Sequence, residues 1–362
     1  MKVVNKVLIT RLTWCLLSLL TIVGLQLTPP TSRANSSDSS VLAQDDDAAE
    51  TEIQKGNEFL RRRRFEDALK SFKRANDLRN KSCAKCLYGM AQSYFAMDAF
   101  KNAADTADKL IALTGDDKDA LLYGYNVKGL SIRAMADGKD QKKLAQAEAV
   151  FRTGISLDPT ARFPILRFNL GYVLMQLNRD PEGIVELKKY LETKEEGEYA
   201  EQAEKMIANP RRAREAYAPD FSIVTAQGEH ISSEDLVGKV VVLDFWGTWC
   251  PPCVESIPSL RSLHKKFSKE PSFVLIGVSS DSDEETWSSF IEKEKMIWPQ
   301  YLDRRREIQR KFGVRAFPTY IVIDHEGIMR FKSIGTSWER SADLNDAIRK
   351  YVKQVAKTDA AN

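Results

Sequence analysis

The sequence Val240-Val-Val-Leu-Asp-Phe-Trp-Gly-Thr-Trp-Cys-Pro-Pro-Cys253 decides the fold of the C-terminal half. Residues 240–245 form an almost unbroken apolar run, which is typical of a strand buried on both faces. A helix is predicted over 252–269, so Cys250 stands where the strand ends and the helix begins. Unpaired N–H groups and the dipole at the start of a helix favour an anion. Cys250 should therefore ionise more readily than a free thiol.

The spacing of the two cysteines suits disulfide exchange. Cys253 follows Cys250 by three residues, on the same helix face and within reach of a disulfide. Pro251 and Pro252 suit the first helical turn, because no backbone N–H is required there. The outer sulfur would attack or be attacked, and the inner one would resolve the mixed disulfide. The alternatives are a structural disulfide and half of a zinc site.

Strands and helices alternate after this pair. The pattern predicts further strands over 273–278, 320–323 and 328–334, helices over 284–295 and 305–312, and a last helix to about residue 356. A turn at 324–327 joins the last two strands into a hairpin. The predicted fold of this half is therefore an α/β sandwich.

These residues also carry a resemblance to a known family. Residues 236–253, which end in the Cys-Pro-Pro-Cys pair, resemble the TlpA-like branch of the thioredoxin superfamily. Ala218-Pro219-Asp220-Phe221 matches the usual opening of that branch, and Phe317-Pro318-Thr319 matches its cis-proline loop. The resemblance covers residues 217–357 and implies a thioredoxin-like domain.

The resemblance implies a role for each matching residue. Cys250 would be the nucleophile, Cys253 the resolving thiol, and Pro318 the cis-proline that lies against the disulfide. The backbone of Phe317 would pair with the substrate chain. The residues expected to shape the substrate face are Trp249, Pro251, Pro252, Phe317 and Thr319.

Asp244, six residues before Cys250, matches the position of the buried acid of thioredoxin. An acid at the core end of this strand would have a raised pKa and could take the proton when Cys253 attacks. The alternative is an acid exposed at the strand end. The chain departs from the family pattern at Ser256, where many TlpA-like proteins carry a glutamate. Glu255 is rotated from that position by about 100° on a helix, which makes a role in cytochrome c maturation less expected.

Residues 49–208 show a helical pattern that repeats in four copies. Small and large positions recur with similar offsets, at Gly56, Phe59, Ala68, Phe72 and Ala75 in the first copy and at Ala91, Tyr94, Ala103 and Ala107 in the second. The pattern resembles the tetratricopeptide repeat (TPR), in which helix pairs stack into a solenoid. The individual residues are expected to be packing residues. The resemblance implies a concave surface for an extended peptide or a partner protein.

A second Cys-x-x-C pair, Cys83 and Cys86, starts the first helix of the second repeat. Leu87 stands where a haem-attachment motif needs histidine, so haem attachment is excluded. A stabilising disulfide or a buried pair is favoured over a second redox relay and over a metal site. The three histidines are scattered, so no metal ligands are assigned, and the predicted chemistry requires no cofactor.

The N-terminus is typical of an export signal. Lys2, Lys6 and Arg11 precede an apolar stretch over 12–27, and cleavage is expected after residue 34 or residue 43. The alternative is an uncleaved membrane anchor. The protein is therefore expected to be exported, to a periplasmic compartment in which disulfides persist.

The predicted organisation follows from these segments. It comprises a signal over 1–34 (or to 43), a disordered leader over 35–48, helical repeats over 49–208, a linker over 209–216, the thioredoxin-like domain over 217–357 and a tail over 358–362. The 54 Lys and Arg residues nearly balance the 51 Asp and Glu residues. Nucleic-acid binding is therefore excluded as a leading function, because its basic footprint is missing.

These features predict an exported thiol–disulfide oxidoreductase that exchanges two electrons with the cysteines of another exported protein. The repeats would hold this partner protein. No histidine stands between the cysteines, and Asp244 resembles that of the reducing members, so a reductase is favoured. A peroxiredoxin-like peroxidase is disfavoured, because Leu243 and Gly247 replace the Pro and Thr of its motif. A third hypothesis is a binding scaffold whose redox module is not catalytic.

Overall fold

The computed structural model describes residues 38–115, 117–194, 196–335 and 338–359. The predicted signal over 1–34 and the last three residues of the predicted tail lie outside these ranges. The described chain forms two compact units, which divide between Arg214 and Glu215. The first unit is helical and the second contains a mixed sheet. The predicted fold class, a helical part followed by an α/β thioredoxin-like part, is confirmed.

The described part of the first unit consists of helices that pack against their neighbours in the chain. These helices are α1 Asp38–Arg61, α2 Phe65–Leu78, α3 Ala84–Ala96, α4 Phe100–Leu113, α5 Lys118–Ala136, α6 Gln141–Ser156, α7 Ile165–Gln176, α8 Asp180–Leu191 and α9 Glu198–Ala208. Among all helices that the structure describes, none combines the length and the apolar character needed to cross a membrane.

The recurring small residues lie where neighbouring helices approach closely. A Cβ atom at Gly56 of α1 would come within 2.8 Å of the Phe72 ring, and one at Gly89 of α3 within 2.5 Å. Phe72 of α2 is only 1% exposed. One small residue on each adjacent helix therefore makes room for one large ring. These are packing positions, and their assignment to tetratricopeptide repeats stays a prediction.

The first helix begins earlier than predicted. The leader over 35–48 was expected to be disordered, but α1 already starts at Asp38. Ala49 is fully buried, and Asp46 pairs with Arg79 of the α2–α3 turn at 3.2 Å. The composition of this segment is too polar to form a core by itself, and its contact with the end of α2 holds it in place.

The predicted linker over 209–216 is structured in its first part. Pro210–Ala213 form a 3-10 helix, which Asn209 caps by accepting the N–H of Arg211. Ala213 is fully buried in the same cluster as Phe168 and Met206. This part of the linker is therefore an extension of the helical unit.

The second unit is built on a five-stranded sheet in the order β5-β4-β3-β6-β7, with a separate antiparallel pair β1-β2. The strands are β1 Ser222–Val224, β2 His230–Ser232, β3 Val240–Trp246, β4 Phe273–Ser279, β5 Gln300–Leu302, β6 Thr319–Ile323 and β7 Met329–Ile334. β3 runs parallel to β4 and antiparallel to β6. All seven residues of β3 are buried, as its apolar run predicts.

Helices of the second unit cover this sheet. They are α10 Pro251–Phe267, α11 Glu284–Lys293, the short α12 Glu307–Lys311 and α13 Trp338–Asp359. Ile257 of α10, Trp287 of α11 and Ile348 of α13 share one core cluster with Val242 of β3. The strand that leads into Cys250 is therefore packed on both faces along its whole length.

Candidate functional site

The junction between β3 and α10 holds the predicted cysteine pair. Cys250 is the N-cap of α10, with φ −103° and ψ 98°, and its Sγ accepts the N–H of Cys253 at 3.3 Å. The two residues form a disulfide with a Cα–Cα distance of 5.3 Å. Pro251 occupies the first helical position. In the reduced state, a Cys250 thiolate at this cap would face that N–H group and the positive end of the helix dipole.

The two sulfur-bearing residues differ in access to solvent. Cys250 keeps 5% of its surface exposed, whereas Cys253 keeps 1%. Pro251 and Pro252 are exposed beside them. An attacking thiolate therefore meets Cys250 first, which fits an outer and an inner sulfur.

The loop before β6 lies against the cysteine loop. The Phe317–Pro318 peptide is cis, and the Phe317 ring packs edge-on against Trp249 with centroids 5.3 Å apart. Trp249 is 55% exposed and Pro318 is buried. The next residue, Thr319, pairs with Phe245 of β3, and this register brings both loops to the same end of the sheet.

Thr319 does not face a substrate. It was expected on the substrate face, but it is fully buried, and its hydroxyl donates to the carbonyl of Ala316 at 2.7 Å. Its side chain therefore stabilises the cis-proline loop from inside. Trp249, Pro251, Pro252 and Phe317 keep exposed or half-buried surface at this end of the sheet.

Asp244 is buried in the middle of β3. It is 1% exposed, its Oδ1 has no hydrogen-bond partner, and burial raises its pKa to about 8. A carboxyl group in this position holds its proton near neutral pH, because burial disfavours the charged form. The exposed alternative at the strand end is excluded by this burial.

Two hydroxyl groups that sequence reasoning missed lie between β6 and the second cysteine. Tyr320 of β6 is the antiparallel register partner of Asp244, and its hydroxyl lies close to Ser256. Burial, and then the nearby charge of Asp244, raise the pKa of Tyr320. Ser256 in turn donates to the carbonyl oxygen of Cys253 at 2.6 Å. The only sequence signal was the departure at Ser256, while Glu255 is exposed on α10.

Asp281 fixes the loop between β3 and Cys250. The N–H of Thr248 donates to both carboxylate oxygens of Asp281 at 3.2 and 3.1 Å, and the Thr248 hydroxyl donates at 2.7 Å. Ser279 adds a hydrogen bond of 2.6 Å, and Asp281 is 5% exposed. The sequence did not single out Asp281, although it follows β4 at the carboxyl end of a strand parallel to β3.

Gly247 leaves room for the indole of Trp249. A Cβ atom at residue 247 would come within 2.7 Å of that ring. Gly247 is the position at which a peroxiredoxin motif carries threonine, so the Trp249 conformation seen here would not tolerate that motif.

The other cysteine pair belongs to the helical unit. Cys83 and Cys86 form a disulfide at the start of α3, with a Cα–Cα distance of 5.2 Å. Both residues are buried in one cluster with Phe72 and Leu60. Within the ranges that the structure describes, no group of three or more His, Cys, Asp or Glu residues is placed to hold a metal ion.

Comparison with known proteins gives consistent relatives for the second unit. Residues 215–332 match the family described as AhpC/TSA family. The thioredoxin-like protein YneN of Bacillus subtilis (strain 168) is 30% identical over 127 residues, which cover 35% of this chain and 74% of YneN. The thiol-disulfide oxidoreductase ResA of Bacillus anthracis is 33% identical over 118 residues, which cover 33% of this chain and 68% of that protein.

A solved structure also matches. The thiol-disulfide oxidoreductase from Bacteroides fragilis NCTC 9343 is 28% identical, with a TM-score of 0.33, over 36% of this chain and 98% of that chain.

Proposed function

Because the C-terminal part of this chain belongs to the thioredoxin-like thiol–disulfide oxidoreductases of the ResA type, we propose that it exchanges two electrons with a partner protein through Cys250 and Cys253. One observation carries this proposal. The disulfide lies at the N-cap of α10, where Cys250 Sγ already accepts the N–H of Cys253. That cap stabilises the thiolate that exchange requires.

In the direction of reduction, the exchange has two steps. The Cys250 thiolate attacks one sulfur of a substrate disulfide, which forms a mixed disulfide and releases the first substrate thiolate. Cys253 then loses its proton and attacks Cys250 Sγ, which forms the Cys250–Cys253 disulfide and releases the second substrate thiolate. Two electrons pass to the substrate, and an external dithiol must restore the reduced pair. Trp249 and Phe317 lie where the substrate chain would approach.

Asp244 is proposed as the group that accepts the proton from Cys253. Its burial and its pKa of about 8 support this role, since a base works best when its pKa lies near the working pH. In the reverse direction the protonated acid returns the proton. Tyr320, the register partner of Asp244, lies close to Ser256, whose hydroxyl donates to the Cys253 carbonyl in the first turn of α10.

We further propose that the helical unit is a tetratricopeptide-type array that docks the cysteine-containing partner. Arg133 of α5 supports this. It is buried and stacked on Tyr172 of α7 at 4.4 Å, and its Nη1 has no hydrogen-bond partner. A buried guanidinium of this kind suits a carboxylate of the docked chain.

Export is proposed from the basic and apolar pattern of residues 1–34, with a periplasmic location or, if the signal stays uncleaved, a membrane anchor. An exported chain would find its disulfide substrates in the same compartment.

Trapping tests the exchange. The full chain with Cys253→Ser should accumulate mixed disulfides through Cys250, and the matched variant Cys250→Ser should accumulate none. The captured protein identifies the substrate, and a redox titration of the pair gives the direction. Absence of any adduct, together with no insulin reduction in dithiothreitol, would favour the scaffold hypothesis.

Docking needs a separate measurement. Arg133→Gln should lower the yield of trapped partner without lowering insulin reduction, whereas Arg62→Gln in the exposed turn after α1 should change neither. An unchanged trapping yield in Arg133→Gln would contradict the proposed docking role of this residue.

A further inference from the structure

The two cysteine pairs of the chain share one local geometry. Cys83 caps α3 with φ −103° and ψ 99°, and Cys250 caps α10 with φ −103° and ψ 98°. In each pair the first sulfur accepts the N–H of the second cysteine, at 3.1 Å for Cys83 and 3.3 Å for Cys250. The Cα–Cα distances are 5.2 and 5.3 Å. The helical unit thus repeats the arrangement of the exchange site.

The order of burial is also the same. Cys83 is 3% exposed and Cys86 is fully buried, compared with 5% for Cys250 and 1% for Cys253. In both pairs the capping cysteine is the outer one. It is preceded by exposed chain, at Ser82 in the first unit and at Trp249 in the second.

The surroundings of Cys83 favour a thiolate. The first turn of α3 contains no acidic residue and includes Lys85. The backbone N–H of Cys83 donates to Asn76 of α2 at 3.3 Å, which fixes the cap. α3 spans 13 residues, enough for its dipole and free N–H groups to act on an anion at the cap.

Stabilisation alone explains this disulfide poorly. The gain from a crosslink grows with the length of the loop it closes, and Cys83 and Cys86 are separated by only three positions. α3 is in any case held by buried side chains along its length, including Leu87, Ala91 and Phe95. A short crosslink at the cap of an already packed helix changes the chemistry of the cap more than the stability of the fold.

We propose that Cys83 and Cys86 form a second redox-active centre, which exchanges electrons with protein dithiols. A thiolate of the incoming dithiol attacks Cys83 Sγ, forms a mixed disulfide and releases the Cys86 thiolate, which takes up a proton. The second thiol of the partner then loses its proton and attacks the partner's own sulfur in the mixed disulfide, which releases Cys83 as a thiolate that takes up a proton. The partner leaves as a disulfide, and the chain keeps the Cys83 and Cys86 thiols after gaining two electrons.

The test uses the full chain with Cys250→Ser and Cys253→Ser, so that its outcome is independent of the C-terminal pair. The protein is equilibrated in dithiothreitol redox buffers without denaturant, and the thiols of Cys83 and Cys86 are counted by alkylation and mass measurement. We expect both thiols to appear together, reversibly, while the helical circular dichroism stays constant. The same titration is repeated with added denaturant. Thiols that stay absent without denaturant and appear only when it melts the helices would overturn the proposal.

A reactivity measurement provides a second criterion. In Cys86→Ser, with the C-terminal pair also replaced, Cys83 should react with iodoacetamide several-fold faster than free cysteine at pH 7. Cys250 in the matching variant Cys253→Ser, with Cys83 and Cys86 replaced, gives the benchmark. If the variant is folded and its Cys83 reacts no faster than free cysteine, the proposal is also overturned.

Discussion

Asp244 and Tyr320 are register partners across β3 and β6, and the Tyr320 hydroxyl lies close to Ser256, one turn after Cys253. The buried acid therefore has as its strand partner a residue that reaches the first turn of α10, where Ser256 donates to the Cys253 carbonyl. Tyr320 also lies on the strand that follows the cis-proline loop.

Asp244→Asn should slow the release of the mixed disulfide. The amide cannot accept the proton of Cys253, and a lost general base costs roughly 100-fold or more in rate. Stopped-flow decay of a mixed disulfide preformed on Cys250 measures this step, and the inflection near pH 8 should disappear from its pH profile. The attack of Cys250 on substrate is the internal control and should change little. A resolution rate equal to wild type would exclude Asp244 as the base.

The same burial makes stability depend on pH. An unfolded aspartate has a pKa of about 3.9, whereas the folded Asp244 has one of about 8. Between these values the folded state holds a proton that the unfolded state has lost, so the free energy of unfolding falls as pH rises and levels off above the folded pKa. The loss approaches about 1.4 kcal/mol per pH unit. Urea titrations of wild type and Asp244→Asn should therefore diverge between pH 4 and pH 8, with the variant more stable at pH 8, and parallel curves would contradict this.

Asp281→Ala should loosen the loop that carries Cys250. The change strands the N–H and hydroxyl of Thr248 and the hydroxyl of Ser279, and leaving such groups unpaired costs about 2 kcal/mol of unfolding free energy. Insulin reduction should fall as well, because Cys250 loses its fixed position. Asp281→Asn, which keeps one acceptor oxygen, should recover part of both losses. Equal effects of the two variants would indicate that charge and not hydrogen bonding matters.

Gly89→Ala should destabilise the helical unit, because the added methyl meets the Phe72 ring. Overpacking of this kind costs about 1–3 kcal/mol. Phe72→Leu also destabilises by itself, but the double variant should be more stable than the sum of the two losses, since the smaller side chain makes room for the methyl. Thermal melts of wild type, the two single variants and the double variant, followed by circular dichroism, complete this double-mutant cycle. Strictly additive losses would show that the two residues do not share space.

Most of what could be predicted about the fold came from patterns within single segments of the sequence. The buried run of β3, the helix that follows Cys250 and the small and large positions around Phe72 all reflect periodicity within one segment. The three-residue strands β1, β2 and β5 are too short to show a period. The early part of α1 pairs with Arg79 at the end of α2, and composition does not report such contacts.

The residues of the candidate site likewise divide into those that a local motif reveals and those that depend on neighbouring strands. Cys250, Cys253 and Pro318 are recognisable because each has a local motif. Asp281 and Tyr320 act through the register of neighbouring strands, which a single segment does not encode. Thr319 shows the opposite error, because the resemblance suggested a substrate contact, while β6 is buried along its whole length, Thr319 included.

Trp249 gives the protein an intrinsic optical reporter. Trp246, Trp287 and Trp298 are enclosed, whereas the indole of Trp249 is more than half open to water directly beside Cys250. Collisional quenching by acrylamide should therefore act chiefly on this ring among the four tryptophans whose side chains the structure describes. A chain that settles over the exchange centre would shield the ring, so its arrival and departure could be followed in real time without any attached label.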